Sequence, residues 1–213
     1  MELKEYNKIV YDEYLNLNNL DSLSSPLLVS SNRYLDNICS NPIMYIGQET
    51  NGWVNDDIDN PTLNDIESYY DGFLIDYKTS KSTYWQFIKN IISSYDELYK
   101  NIIWVNTLLV GNKNNIGYPI IDNDIRRLSL EYLLFIYNYF KPSYIINVSG
   151  SNNPYYYNTI KFLDTIGIKI NCPTNNEPIV ISDNYIWTYH PKYLRFSGKE
   201  NMVLSKIKNK LTN

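Results

Sequence analysis

An α/β fold is what this chain predicts: a three-layer α/β/α sandwich around a mostly parallel central sheet of about four strands. Three observations predict it. Short apolar runs alternate with amphipathic segments of helical spacing. Several of the apolar runs end at a glycine or a polar residue, where loops leave a parallel sheet. Asn-rich polar stretches at 51–62, 111–118 and 171–178 read as the intervening loops. No internal repeat or long linker divides the 213 residues, so 1–213 reads as one domain.

The elements follow in order. Pro42-Ile-Met-Tyr-Ile46 reads as a buried strand ending at Gly47. Residues 61–71 suit a short helix, with Asn60 as cap and Pro61 in the first turn. Trp85, Ile88, Ile92, Tyr95 and Leu98 recur at helical spacing and predict a helix over 82–99. Ile102–Val105 is a second apolar strand. Asp124 opens a long amphipathic helix to about Phe140, stopped by Pro142. Tyr144–Val148 is a third strand, followed by Gly150. Residues 154–166 read as a helix stopped at Gly167. Ile179–Ile181 and Tyr185–Thr188 form a hairpin about Asp183-Asn184, and 198–211 is a closing helix.

Composition narrows the function classes. Hydrophobic residues make up 44% and charged residues 20%, an ordinary balance for a water-soluble domain. No run of about 18 apolar residues suggests a membrane span. The segment Met1–Tyr14 is polar and lacks the apolar core of a secretory signal. Cys39 and Cys172 are too few for a disulfide framework and read as reduced side chains, which suits the cytoplasm. With the single histidine, His190, they give no zinc-ligand spacing. A net charge of −4 argues against coating nucleic acid by bulk charge. A few local phosphate contacts remain compatible with it. The 22 tyrosines follow the AT-rich coding bias and do not by themselves mark a stacking surface.

Three polar groups stand at strand exits. Glu49 lies in a turn bracketed by Gly47 and Gly52, which permit sharp turning and close approach to a ligand. A carboxylate there orients a water or stabilises a developing cation; the competing reading is a solvated loop acid or a helix cap. Asn106 ends the second strand and offers a donor and an acceptor that match one edge of a pyrimidine. The competing reading is an amide satisfying backbone groups. His190 precedes Pro191, which restricts its backbone; a structural histidine is the alternative. Lys192, Tyr193 and Arg195 suit a phosphate backbone, or else a solvated turn. Ser149-Gly-Ser-Asn-Asn153, after the third strand, suits a phosphate at a helix start, although it lacks a full phosphate-loop pattern.

Four segments, in order, resemble the uracil-DNA glycosylase superfamily. Gly47-Gln48-Glu49 is similar to its Gly-Gln-Asp-Pro-Tyr-His motif, with Glu for Asp. Trp104–Val110 resembles the strand ending in Leu-Asn-Thr-Val-Leu-Thr. Ile145–Gly150 is similar to the third, glycine-ended strand. Thr188–Arg195 resembles the motif beginning His-Pro. The four span residues 43–195.

The resemblance implies roles. Glu49 holds the attacking water or stabilises the sugar cation, and His190 donates to the base oxygen as charge develops there. Asn106 reads the base edge. Gly47, Gln48, Asn51 and Trp53 complete the base pocket. Residues 192–195 form a loop that enters DNA and helps flip the nucleotide, with Ser149 and Ser151 as further DNA contacts. Neither metal nor cofactor is called for, the partner is DNA, and a monomer suffices. Where the family has Pro-Tyr after its acid, this chain has Thr50-Asn51. That opens the side of the pocket facing the pyrimidine C5 position, unless Trp53 refills it. The expected substrate is therefore uracil or, preferably, a C5-modified cytosine such as a hydroxymethylated or glucosylated base of phage DNA. An antiviral role would suit such a substrate. The alternatives are a catalytically silent base-binding, DNA-binding or inhibitor protein on the same fold, and a hydrolase of free nucleosides or nucleotides.

Overall fold

The computed structural model describes residues 1–32, 41–50, 53–56, 58–76, 82–92, 101–113 and 118–212. Its centre is a five-stranded sheet: β1 (Ile43–Gly47), β2 (Ile102–Asn106), β3 (Tyr144–Asn147), β4 (Ile179–Ser182) and β5 (Tyr185–Thr188). The order across the sheet is β2-β1-β3-β5-β4. All neighbours are parallel except β4 and β5, which form the expected hairpin at the edge. Asp183 turns that hairpin with a left-handed φ of 46°. The hairpin's outer strand brings the sheet to five strands where about four are expected.

Helices α1 (Leu3–Tyr14), α2 (Leu63–Asp76), α3 (Thr83–Ile91), α4 (Asn123–Phe140), α5 (Tyr155–Ile166), α6 (Pro191–Phe196) and α7 (Glu200–Thr212) flank the sheet. α4 packs on α1 and α5, while α3 packs on α6 and α7, giving the α/β/α layering. β2 and β5 are buried along their whole length and β1 and β3 along all but their first residue, so they read as continuous apolar runs rather than as alternation.

Several boundaries differ from the sequence reading, each for a local reason. α2 begins after Thr62, not at Pro61. Asp65 accepts from the Thr62 backbone N–H at 2.8 Å, and Thr62 Oγ1 accepts from the Asp65 N–H at 3.3 Å, closing a reciprocal cap. α3 stops at Ile91, because Ile92 is extended (φ −98°, ψ 132°); residues 93–99 of the expected helix lie outside the described residues. Asp122 caps α4 through the Ile125 N–H at 2.8 Å. Residues 191–196, read as a loop, form α6, with Pro191 at its first position. α1 was not expected. Its inward stripe is Leu3, Asn7, Val10 and Tyr14, and the polar Asn7 breaks the apolar period. Asn7 is fully buried and donates to Val29 O (2.8 Å) and Glu67 Oε1 (2.6 Å), while Tyr132 donates to its Oδ1 (3.1 Å). Cys172 is a free thiol, and Cys39 lies outside the described residues.

β2 lies at the sheet edge, and its outward backbone groups are covered. The Trp104 N–H donates to the Tyr70 hydroxyl (3.0 Å), which donates in turn to the Trp104 carbonyl (3.1 Å). Past the strand, Ser24 donates its N–H to Gly111 O and Leu27 to Leu109 O. Replacing Tyr70 by Phe preserves volume but strands two buried backbone groups. Y70F is expected to lower unfolding stability by about 1–3 kcal/mol in a denaturant titration; an unchanged midpoint would show that water reaches this edge.

Candidate active site

β1 and β2 run in register, with Gly47 beside Asn106. A Cβ at position 47 would overlap Asn106 Oδ1 and press on the Tyr84 hydroxyl, so glycine there lets the amide lie over the strand end. The ladder continues past both strands: Thr107 donates to Gly47 O and Leu108 to Gln48 O, each at 3.0 Å. These bonds fix the loop that carries Glu49. Gly111 touches the other side of that loop, where a Cβ would collide with the Thr50 carbonyl. Ser24 Oγ joins the two, accepting from the Gly111 N–H (2.8 Å) and lying 3.2 Å from Thr50 Oγ1.

His190 arrives from β5, two strands from β1, and caps α6 by accepting the Lys192 N–H on Nδ1 (3.2 Å). The neutral imidazole therefore carries its proton on Nε2. Glu49, Asn106 and His190 line one cavity of about 680 Å³, together with Gln48, Trp53 and Lys192. Gln48 donates its side-chain amide to Ser149 O (2.9 Å). Aromatic rings build the remaining wall. Trp53 and Trp104 meet edge-on at 5.1 Å, Phe73 stacks on Trp104 at 5.3 Å, and Tyr84 stacks on His190 at 5.9 Å. Trp53 is held with a left-handed φ of 45°, which costs a bulky residue about 1–2 kcal/mol and directs its indole to the wall.

Buried polar atoms are normally hydrogen-bonded. Around this cavity Glu49 Oε2, Trp53 Nε1 and Asn106 Nδ2 are buried with no partner among the described residues, while the Trp104 indole N–H lies against the Tyr84 hydroxyl. Of the three, the indole and the amide can donate and the carboxylate can accept. A polar ligand with several acceptors and at least one donor would satisfy them.

Burial shapes the titration of the site. It raises the Glu49 carboxyl above the ordinary glutamate value, opposed by the Tyr155 hydroxyl beside it. It lowers His190 to about 4, with the Lys192 charge acting the same way. Tyr84 and Tyr155 are pushed well above the usual phenol range, so both keep their protons.

Other expected site residues have different surroundings. Asn51 lies outside the described residues. Ser149 is fully buried, and its hydroxyl faces Gly150 O and Thr159, so it presents nothing to a phosphate. Ser151 donates to Pro173 O (3.0 Å) and Tyr193 to Asn175 Oδ1 (2.8 Å). Arg195 is held by Glu200 (2.7 and 2.8 Å) and by Gln86 Oε1 (2.9 Å). Leu194 is fully buried, which makes the 192–195 stretch an anchored helix rather than an inserting loop. Conversely, Tyr84, Trp104 and Tyr155 belong to the cavity and were not singled out. Only Trp104 left a signal, two residues before Asn106 and on the same face of β2.

No group of three potential metal-ligating side chains clusters among the described residues, and no helix there is long and apolar enough to cross a membrane. No family profile, curated protein or solved structure matches the chain.

As the only histidine, His190 gives an unambiguous imidazole signal in an NMR titration. Its midpoint is expected near pH 4, not 6.5. Between those values the unfolded chain binds a proton that the folded chain refuses, so stability falls as pH drops from about 6.5 to 4. H190Q is expected to remove that part of the acid sensitivity. A midpoint above 6 would mean that water solvates the ring. G111A is expected to cost about 1–3 kcal/mol, read by thermal melting, because Thr50 and its loop must move.

Proposed function

We propose that the protein is a DNA glycosylase that hydrolyses the N-glycosidic bond of a pyrimidine extruded from the strand, leaving an abasic site. The observation that carries this reading is the convergence of Glu49, Asn106 and His190 on one cavity whose wall holds unpartnered hydrogen-bonding atoms. The resemblance of the four segments to the uracil-DNA glycosylase superfamily assigns the same three residues.

The chemistry follows from the charges. As the bond between the base and C1′ lengthens, its electron pair moves onto the base and the sugar becomes cationic. The neutral His190 imidazole donates from Nε2 to a base oxygen, and Asn106 Nδ2 donates beside it. Fixed donors that need no reorganisation stabilise such a developing anion strongly. The Glu49 carboxylate stabilises the sugar cation and orients a water, whose oxygen attacks C1′ while its proton passes to the carboxylate. The product sugar carries a hydroxyl at C1′, and the base leaves after taking up a proton. The aromatic wall of Trp53, Tyr84 and Trp104 supplies stacking surface for an extruded ring.

The substrate is uracil or, as the favoured reading, a C5-modified cytosine such as a hydroxymethylated or glucosylated base, which suits defence against phage. Two features support room for a substituent. The cavity is about 680 Å³, and the unpaired indole N–H of Trp53 would donate to an oxygen that an unmodified pyrimidine lacks.

Matched oligonucleotides carrying uracil, cytosine, hydroxymethylcytosine or glucosylated hydroxymethylcytosine, followed by alkaline cleavage at abasic sites, test the assignment. E49Q and H190A are each expected to slow release about 10²–10³-fold while retaining binding. The rate should rise with pH as Glu49 loses its proton and then hold, because His190, already neutral, keeps its Nε2–H throughout. Release of no base from any of these strands would remove the glycosylase reading for these bases.

A further inference from the structure

The arginine expected to grip DNA, Arg195, is held by Glu200 and Gln86. Arg127 is likewise paired, with Glu13 (3.1 Å) and Glu131 (3.0 Å). Arg126 has no ion pair among the described residues, and its Nη1 is buried without a hydrogen-bond partner. Its guanidinium lies over the Tyr157 ring, 4.8 Å from the centroid, and the Lys161 ammonium lies 6.0 Å from that centroid. Of the acids nearest in sequence, Asp122 caps α4 and Asp124 acts on Arg127.

Arg126 and Tyr157 line a second cavity, of about 660 Å³, with Tyr118, Ile120, Asn153 and Pro154. Tyr118 lines both this cavity and the one holding Glu49. Its ring meets Tyr155, on the wall of the first cavity, edge-on at 6.1 Å. The two cavities are thus neighbours across one tyrosine. Around the second, Tyr118 is 52%, Ile120 88% and Tyr157 46% exposed, a high apolar exposure beside a cation that makes no ion pair among the described residues.

We propose that this groove is a strand-binding subsite, which takes the nucleotide adjoining the one extruded into the Glu49 cavity. It rests on the glycosylase reading above. The guanidinium holds the connecting phosphodiester through paired N–H donors, which its planar fork matches. The neighbouring base stacks on the exposed faces of Tyr118 and Tyr157, a contact that tolerates any sequence. The protein therefore engages its substrate as an opened single strand on this side, by stacking and one phosphate clamp rather than by bulk positive charge.

Binding of a short fluorescein-labelled single-stranded oligonucleotide, measured over a range of salt, tests this. R126Q is expected to weaken binding about tenfold and to reduce the slope of log affinity against log salt by about 0.7, the value of one phosphate contact on a single strand. R126K keeps the charge and should keep the slope. Y157A should weaken binding at unchanged slope. Binding of deoxyuridine, which has no phosphate, should be the same in R126Q as in the unaltered protein. Wild-type slope in R126Q, equal loss of deoxyuridine binding, or failure of the unaltered protein to bind the oligonucleotide would each overturn the subsite. Strand binding that depends on Arg126, without release of any base, would leave the subsite standing and remove the glycosylase.

Discussion

Parallel pairing of β1 with β2 sets Gly47 opposite Asn106, and the rest of the site depends on the side chain that is missing there. With nothing at position 47, the amide folds over the strand end. The two following loops then continue the backbone ladder through Thr107 and Leu108. The acid and the amide are consequently positioned by main-chain bonds, the stiffest connections the fold offers, and by the tight meeting of Gly111 with Thr50. His190 reaches the same cavity from β5, and its orientation is set locally by the cap it forms on α6. Asn106 stands at a strand end, His190 at a helix cap and Glu49 on a loop pinned by the Thr107 and Leu108 backbone bonds, so each group is held by its surroundings.

One physical cause acts on both titratable groups of the cavity. Loss of water disfavours charge, lifting the Glu49 value and lowering that of His190. At neutral pH the imidazole is an uncharged donor. Among the described residues, Glu49 is the one acid of a wall otherwise rich in donors: two indoles, a phenol and an amide. Such a wall is complementary to a planar ring bearing several acceptors, and most of all to one gaining negative charge.

The strands were legible because burial on both faces leaves uninterrupted apolar runs, and the hairpin because Asp183-Asn184 interrupts one. Glu49, Asn106 and His190 were legible as polar groups at strand exits, where topology gathers side chains that are distant in the chain. Other features depend on partners that no spacing reveals. Asn7 looks like a surface residue until Glu67, Val29 and Tyr132 close around it. Arg195 looks like a free cation until Glu200 folds back from the next helix. Tyr84 and Tyr155 come from separate helices, and only tertiary packing brings them to the cavity. Arg126 is the converse case, an ordinary helix residue in sequence that makes no ion pair among the described residues and leaves its Nη1 without a hydrogen-bond partner.

The Tyr70 hydroxyl also matters for how the protein behaves in company. An open sheet margin offers a template on which strands of other molecules can add, the first step toward amyloid-like stacking. At the β2 margin one phenol occupies the Trp104 donor and acceptor together, and the Ser24–Leu27 segment covers the backbone beyond. Recruitment of a foreign strand there would have to displace both. A crowded chain rich in asparagine and tyrosine is thereby shielded from self-association along that side.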